Sequence, residues 1–151
     1  MNAVAYRPVK EACADLFFSH IARDAEILHV HDAHTALAIE STALRSKLAA
    51  AGLKVPTIKA TLPSIVAYCQ TRNILFLIEV ADETAAITKK RKSQLESMFG
   101  RCGAHCLFVT AFQSRDALQD WEEADISSGM IHWFASEPSH MIHYDDTRGP
   151  K

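Results

Sequence analysis

The feature that most constrains the fold of this chain is an unbroken apolar run that ends in an acid. Ile74 to Ile78 are all large and apolar, and Glu79 follows them directly. Such a run predicts a strand buried on both faces, as in α/β proteins whose helices cover both sides of a sheet. An ionised carboxylate there is costly unless it is paired or bound to a metal. Two interpretations of Glu79 follow: a strand-end carboxylate that reaches solvent or an arginine, and a catalytic or metal-binding acid at a strand terminus.

The apolar periodicity and the capping residues predict nine elements, in the order helix, strand, helix, strand, strand, helix, strand, helix, strand. The expected helices cover residues 9–21, 39–51, 89–99 and 114–121, and the expected strands cover residues 26–31, 65–69, 74–80, 107–112 and 130–134. The second and third strands are joined tightly enough to form an antiparallel hairpin, whereas the later helical crossovers favour parallel pairing. We expect one three-layer α/β domain over residues 1–151, with a central mixed sheet flanked by helices.

Composition and charge restrict the classes of function. No apolar stretch approaches the roughly 20 residues of a membrane helix, and the first residues lack a secretory signal, so we expect a cytoplasmic protein without membrane contact. Four cysteines are too few for a disulfide scaffold, and we expect reduced thiols. The net charge is −2, but residues 1–112 carry 13 Lys and Arg against 10 Asp and Glu, while residues 113–151 carry 3 against 8. The excess of Lys and Arg in the first part therefore allows a local basic surface, which could bind a nucleic acid.

Four segments in one order resemble the C-terminal catalytic domain of the BsuBI/PstI type II restriction endonucleases. They are Asn73–Val80, Ile87–Arg91, Phe108–Arg115 and Trp133–His143, and the last of them is the most specific. The resemblance covers roughly residues 26–150 and leaves residues 1–25 as an N-terminal helix. It implies a restriction-endonuclease-like fold with the αβββαβ core of PD-(D/E)xK nucleases, and a role on DNA in bacterial or phage defence. The family also carries an N-terminal DNA-reading region, for which we expect no counterpart here.

The resemblance assigns metal ligands. Glu79 matches the family's Glu, and Asp32 matches an acid that the family places in a Gly-Asp phrase, although His31 stands where the Gly is expected. In such nucleases two acids bind Mg²⁺ or Mn²⁺, which polarises the phosphodiester and generates a hydroxide nucleophile. The carbonyl oxygen of Val80 is expected to complete the metal shell.

The chain departs from the family at the position opposite Glu79. The family's Pro-Asp appears here as Pro63-Ser64, so a hydroxyl replaces a carboxylate. Because Mg²⁺ relies on few protein ligands, this loss predicts weak metal binding or none. We expect Ser64 to contribute at most a weak or water-mediated contact to the metal site, and we assign it to substrate binding.

The resemblance also assigns positively charged residues. Lys90 and Arg91 match a Lys-Arg pair that opens the next helix, and the family lacks the Lys of an ExK pattern, as this chain does at Ala81. Lys90 or Lys89 is therefore the candidate for stabilising the transferring phosphate, and Arg91 for binding substrate. The structural alternative is a solvated helix face over residues 89–92.

Further candidates lie in the later segments. Thr110, Ser114 and Arg115 follow one another at a strand end, where hydroxyls and a helix N-terminus can bind phosphate, although an ordinary cap would also explain Ser114. His140 and His143 belong to the most specific segment, and the resemblance implies that they either contact DNA or shape the fold.

Two clusters suggest other metal chemistry. His29, His31, Asp32 and His34 crowd one strand end, and imidazole with carboxylate suits Zn, Mn or Ni; the alternative is a group of exposed polar residues. The residues from Cys102 to Cys106 also offer thiols and an imidazole, but zinc sites of this kind need a second half elsewhere.

The sequence thus supports three hypotheses of function. The first is a metal-dependent deoxyribonuclease, which would act as a homodimer because cutting both strands of a palindrome usually requires two sites. The second is a catalytically inactive relative that binds DNA, regulates, or binds a protein partner. The third is a non-nuclease metal protein built on the histidine cluster from His29 to His34.

Overall fold

A mixed sheet of six strands forms the centre of the protein. The computed structural model describes residues 9–31, 34–58, 61–80, 87–114 and 130–144. The strands are β1 (Glu26–Val30), β2 (Ile65–Cys69), β3 (Ile74–Val80), β4 (His105–Phe112), β5 (Met130–Phe134) and β6 (Met141–Tyr144). They lie side by side in chain order. The pairs β3/β4 and β4/β5 are parallel, and the other three pairs are antiparallel. The expected hairpin and the expected parallel crossovers are both present.

Helices cover both faces of this sheet. The N-terminal helical segment consists of α1 (Val9–Ala12), a π-helical stretch (Cys13–Phe17) and α2 (Phe18–His20), and the other helices are α3 (Leu37–Ala50) and α4 (Lys89–Phe99). The α4 helix begins where the side chain of Thr88 accepts a hydrogen bond from the backbone N–H of Arg91, at 3.1 Å. The chain leaves α3 through Gly52, whose φ of 85° is a conformation that glycine adopts at little cost.

The two faces of the sheet form separate parts of the core. On one face, which we call the α3/α4 face, Leu44, Leu48 and Leu95 pack with strand residues such as Leu75 and Leu77. On the opposite face the N-terminal helical segment contributes three residues to a cluster that includes strand residues of β2 to β5; they are Cys13, Phe17 and Phe18. This burial on both faces explains the unbroken apolar sequence of β3. The fold is the expected three-layer α/β arrangement.

Some details differ from the sequence predictions. The N-terminal helix contains a five-residue π stretch, and β4 begins at His105 rather than at Leu107. Strand β6 was not predicted, because four residues at a sheet edge give too short a pattern. The helix expected from Ser114 to Trp121 lies outside the described residues after Ser114. None of the helices that the structure describes is long and apolar enough to cross a bilayer.

Candidate active site

Buried polar residues form a row across the α3/α4 face of the sheet. The hairpin register, in which Ile65 pairs with Ile78, places Ser64 beside Glu79. Glu79 pairs with Thr110 of β4, which in turn pairs with His132 of β5. Directly paired residues share a face of the sheet. All four side chains are buried, so the row is a polar layer inside an otherwise apolar core.

The carboxylate of Glu79 is held by hydrogen bonds on both oxygens. Oε2 accepts a hydrogen bond from Nε of Arg91 at 2.6 Å. Oε1 accepts one from the backbone N–H of Ser64 at 3.2 Å and a longer one from the Ser64 hydroxyl at 3.5 Å. Glu79 is only 3% exposed, so the guanidinium compensates a buried charge. Of the two interpretations of Glu79 given from the sequence, this geometry matches the one in which the carboxylate reaches an arginine.

Both terminal nitrogens of the Arg91 guanidinium donate hydrogen bonds. Nη2 donates to the carbonyl oxygen of Thr61 at 2.8 Å, and Nη1 donates to Oε1 of Gln94. The side chain is 15% exposed. The Thr88 cap sets the first turn of α4, and the packing of that helix beside the end of β3 brings Arg91 to Glu79.

Ser64 links the two strands of the hairpin. Its hydroxyl oxygen accepts a hydrogen bond from the backbone N–H of Val80 at 3.1 Å, while its own N–H donates to Glu79. Ser64 is 3% exposed. A neutral hydroxyl therefore stands opposite Glu79, where the resemblance leads us to expect a second carboxylate, and its hydrogen bonds give it a structural role.

His31 and Glu40 form the second wall of the site. Nδ1 of His31 lies 3.0 Å from Oε1 of Glu40, which projects from the first turn of α3. The backbone N–H of His31 donates to the carbonyl oxygen of Ser64 at 2.8 Å, and Lys10 Nζ donates to the carbonyl oxygen of His31 at 2.8 Å. Burial lowers the pKa of nearby His29, and this effect is larger than that of Glu40, whose negative charge raises the same pKa. A cleft of about 340 Å³ is lined by residues of both walls, among them His31, Glu40, Ser64, Glu79, Thr88 and Arg91.

The remaining predicted residues either do not line the cleft or lie outside the described part of the chain. Lys89 and Lys90 are exposed on the first turn of α4, and within the described ranges Arg91 is the one of these three that lines the cleft. His140 is exposed on the loop before β6. His143 pairs with Ile131, which belongs to the core on the opposite face of the sheet. Asp32 and Arg115 lie outside the described residues.

The four cysteines are free thiols, as expected. A hydrogen bond with Cys106 lowers the pKa of Cys102 to about 6 and raises that of Cys106. His105, between them in sequence, is exposed. In the ranges that the structure describes, the group with metal-ligand spacing is instead His29, His31 and Glu40. The structure thus joins Glu40 to His29 and His31 of the predicted cluster, while Asp32 lies outside the described residues.

Sequence reasoning missed two residues of this region. Glu40 stands four and eight residues before Leu44 and Leu48, which are fully buried on α3. An acid in register with two buried leucines was a usable signal, because it places a carboxylate on the apolar face of the helix. His132 gave no such signal, because its burial depends on the neighbouring strands rather than on local sequence.

Comparison with known proteins decides the family. The sequence profile of the BsuBI/PstI restriction endonuclease domain matches residues 6–147, which is nearly the whole chain. The chain belongs to the BsuBI/PstI restriction endonuclease domain family. This match confirms the resemblance stated from the four sequence segments.

Individual relatives agree with this assignment. The type II restriction enzyme BsuBI of Bacillus subtilis is 31% identical over 87 residues, which are 58% of this chain and 27% of that enzyme. The type II restriction enzyme AplI of Arthrospira platensis is 31% identical over 83 residues, which are 55% of this chain and 25% of that enzyme. The alignments thus span about a quarter of the length of these relatives.

The structure of SdaI restriction endonuclease shares the fold. It superimposes with a TM-score of 0.75 at 22% sequence identity, over 95% of this chain and 44% of the SdaI chain. The expected restriction-endonuclease-like fold is confirmed.

Proposed function

We propose that this chain is a DNA-binding nuclease domain that hydrolyses phosphodiester bonds at the cleft around Glu79, in bacterial or phage defence. The observation that carries the proposal is the meeting of Glu79, Ser64 and Arg91 at one end of the hairpin, beside a cleft, in a chain of a restriction endonuclease family. In α/β proteins the ends of the central strands are where loops and helix N-termini assemble chemistry.

A divalent metal is the proposed cofactor, because the restriction endonuclease fold generally uses such ions. Glu79, Asp32 and the carbonyl oxygen of Val80 are the proposed ligands of Mg²⁺ or Mn²⁺. The described donors suit this ion poorly, because Arg91 holds one oxygen of Glu79 and a hydroxyl faces the other. We therefore propose weak binding in competition with Arg91. When bound, the ion would polarise the phosphodiester and lower the pKa of an attacking water.

Positively charged side chains near the cleft are proposed to bind the DNA backbone. Arg91 can bind a phosphate oxygen if it leaves Thr61 or Gln94, since a guanidinium suits two-point recognition of oxyanions. Lys89 and Lys90 are exposed beside it and would contact phosphates directly. Ser64, Arg115, His140 and His143 also stay proposed substrate contacts, the last on the opposite face of the sheet from Glu79.

A second candidate function is a catalytically inactive DNA-binding, regulatory or protein-interaction module. Two observations favour it: a hydroxyl stands at position 64, and the charge of Glu79 is already compensated by Arg91. Arg91 supplies Glu79 with the positive charge that a metal ion would otherwise supply, so the buried carboxylate is compensated without a catalytic ion.

The experiment that tests the proposal is incubation of the purified chain with supercoiled plasmid, in Mg²⁺ and separately in Mn²⁺. We expect conversion by the wild type, none by Glu79→Ala, and unchanged conversion by the control Glu96→Ala, whose side chain is 51% exposed on α4. Equal conversion by Glu79→Ala would refute the proposal. No conversion by any of the three proteins, with DNA binding retained in a low-salt gel shift, would favour the second candidate, and loss of both would indicate a protein partner.

The assembly and its location stay predictions. If the domain cuts both strands of a palindrome, it requires a homodimer, because two sites related by a two-fold axis are then needed. A single domain over residues 1–151 and a cytoplasmic location are likewise proposed from the sequence.

A further inference from the structure

A β-bulge in strand β1 turns His29 towards helix α3. Ile27 pairs with Ala67, but His29 pairs with Val66, so one extra residue is inserted in β1 between them. Val66 belongs to the α3/α4 face, and His29 lies on the same face because directly paired residues do. Bulges re-aim side chains and are frequent next to functional sites.

A carboxylate from α3 meets the two imidazoles on this face. His31 contacts Glu40 through Nδ1 and Oε1 at 3.0 Å, and Glu40 is 6% exposed. One ligand atom from each of His29, His31 and Glu40 lies within 4.8 Å of the other two. Three side chains from a strand, its end and a helix thus converge on one point.

One imidazole nitrogen of this cluster is buried without a hydrogen bond from the described residues. His29 is 9% exposed, and its Nε2 is buried with no hydrogen-bond partner among the described residues. Buried polar atoms are nearly always hydrogen-bonded or bound to an ion, so such an atom within a cluster of metal-ligand spacing needs an explanation. A bound cation supplies one, because a neutral imidazole nitrogen donates its lone pair to a metal.

We propose that His29, His31 and Glu40 bind one divalent transition-metal ion of the zinc class, at the edge of the cleft but separate from Glu79. Two imidazoles and one carboxylate are a known ligand set for zinc with an open fourth position, whereas Mg²⁺ and Ca²⁺ prefer oxygen ligands alone. Ligands of a tetrahedral zinc lie about 3.4 Å apart, so the 3.0 Å contact between His31 and Glu40 would open slightly as the three ligand atoms adjust to the ion. His31, whose side chain is 41% exposed, has room to make that movement.

This proposal goes beyond the nuclease function, because the ion binds whether or not the chain cleaves DNA. The test is therefore made without DNA, by titrating the metal-free full-length chain with Co²⁺ and then displacing it with Zn²⁺. We expect one equivalent of Co²⁺, visible absorption typical of tetrahedral nitrogen and oxygen coordination, and no near-ultraviolet thiolate charge transfer. Magnesium in excess should not displace the ion.

Variants locate the ion. We expect His31→Gln and Glu40→Gln each to weaken Zn²⁺ binding at least tenfold, and His29→Gln to do the same. The control is His20→Gln, since His20 is exposed on α2 outside the cluster. Melting curves without metal show whether each variant folds, and His31→Gln alone decides the matter if the two buried substitutions prevent folding. The proposal is overturned by no binding at micromolar Zn²⁺, by binding that His31→Gln leaves unchanged, or by a thiolate signature that places the ion on the cysteines.

Discussion

Replacing Arg91 by methionine measures how strongly the ion pair at the candidate site is coupled to the fold. The variant keeps an aliphatic stem of similar length but leaves the carboxylate of Glu79 buried without its cation. At a separation of about 4 Å between charge centres and an effective dielectric constant of about 20, the lost attraction is about 4 kcal/mol. This agrees with the roughly 3–5 kcal/mol lost when one partner of a buried pair is removed.

The assay is thermal unfolding of the purified chain in EDTA. For a protein of this size each 1 kcal/mol corresponds to about 2–4 °C, so Arg91→Met should melt about 6–20 °C below the wild type. The double variant Arg91→Met/Glu79→Gln should recover much of this loss, because it no longer buries an uncompensated charge. The matched control is Arg72→Met, whose ion pair with Asp24 is about half exposed on both sides and should matter far less.

The melting temperature of the same variant in Mn²⁺ is a second test of the ion pair. With Arg91 removed, Oε2 of Glu79 loses its charged hydrogen-bond donor and can bind a cation, so Mn²⁺ should raise the melting temperature of Arg91→Met more than that of the wild type. The reasoning is refuted if Arg91→Met melts no lower than Arg72→Met, or if the double variant is no more stable than the single one.

Two further predictions concern buried titration and DNA binding. Burial lowers the pKa of His132 to about 4 from its usual 6.5. Between these two values the unfolded chain binds a proton at His132 that the folded chain does not. The free energy of unfolding should therefore keep its full value above pH 6.5 and fall by at most about 3 kcal/mol as the pH drops to 4. Urea unfolding should show that the free energy of unfolding changes less between pH 7 and pH 4.5 in His132→Leu than in the wild type. An equal change in both proteins would contradict this account. If DNA binding uses α4, Lys89→Gln/Lys90→Gln should reduce the dependence of log Kd on log salt by about two, whereas the exposed-lysine control Lys54→Gln should not; melting temperatures should be unchanged in both variants.

The sequence predicts the centre of the fold well because its signals are local. The apolar run of β3, the short connection after β2 and the Thr88 cap of α4 each depend on a few adjacent residues, and all three are present. The facing of Ser64 and Glu79 also follows, since hairpin register is fixed once the two strands and their turn are known. The facing pair of Ser64 and Glu79 is therefore predictable from the sequence alone.

Other parts of the site depend on contacts between distant segments. The sequence offers Lys89, Lys90 and Arg91 as equivalent cations, and only the packing of α4 against the end of β3 selects Arg91 for Glu79. The bulge in β1 leaves no distinctive residue in the sequence, yet it decides which face His29 occupies. Glu40 becomes part of the cleft only because α3 packs on β1. These contacts depend on tertiary packing, so no local sequence pattern predicts them.

The measurement that tests the central claim most directly is plasmid cleavage in Mn²⁺ by Ser64→Asp beside the wild type and Ser64→Asp/Glu79→Gln. The claim is that Glu79 and position 64 form an endonuclease centre in which one carboxylate is missing. Restoring that carboxylate should increase the rate of conversion and tighten the Mn²⁺ dependence, because a second acid opposite Glu79 adds a ligand and a charge. Glu79→Gln should abolish the gain. If folded Ser64→Asp cleaves no faster than the wild type, or if the double variant retains the gain, the hairpin end is not the catalytic centre.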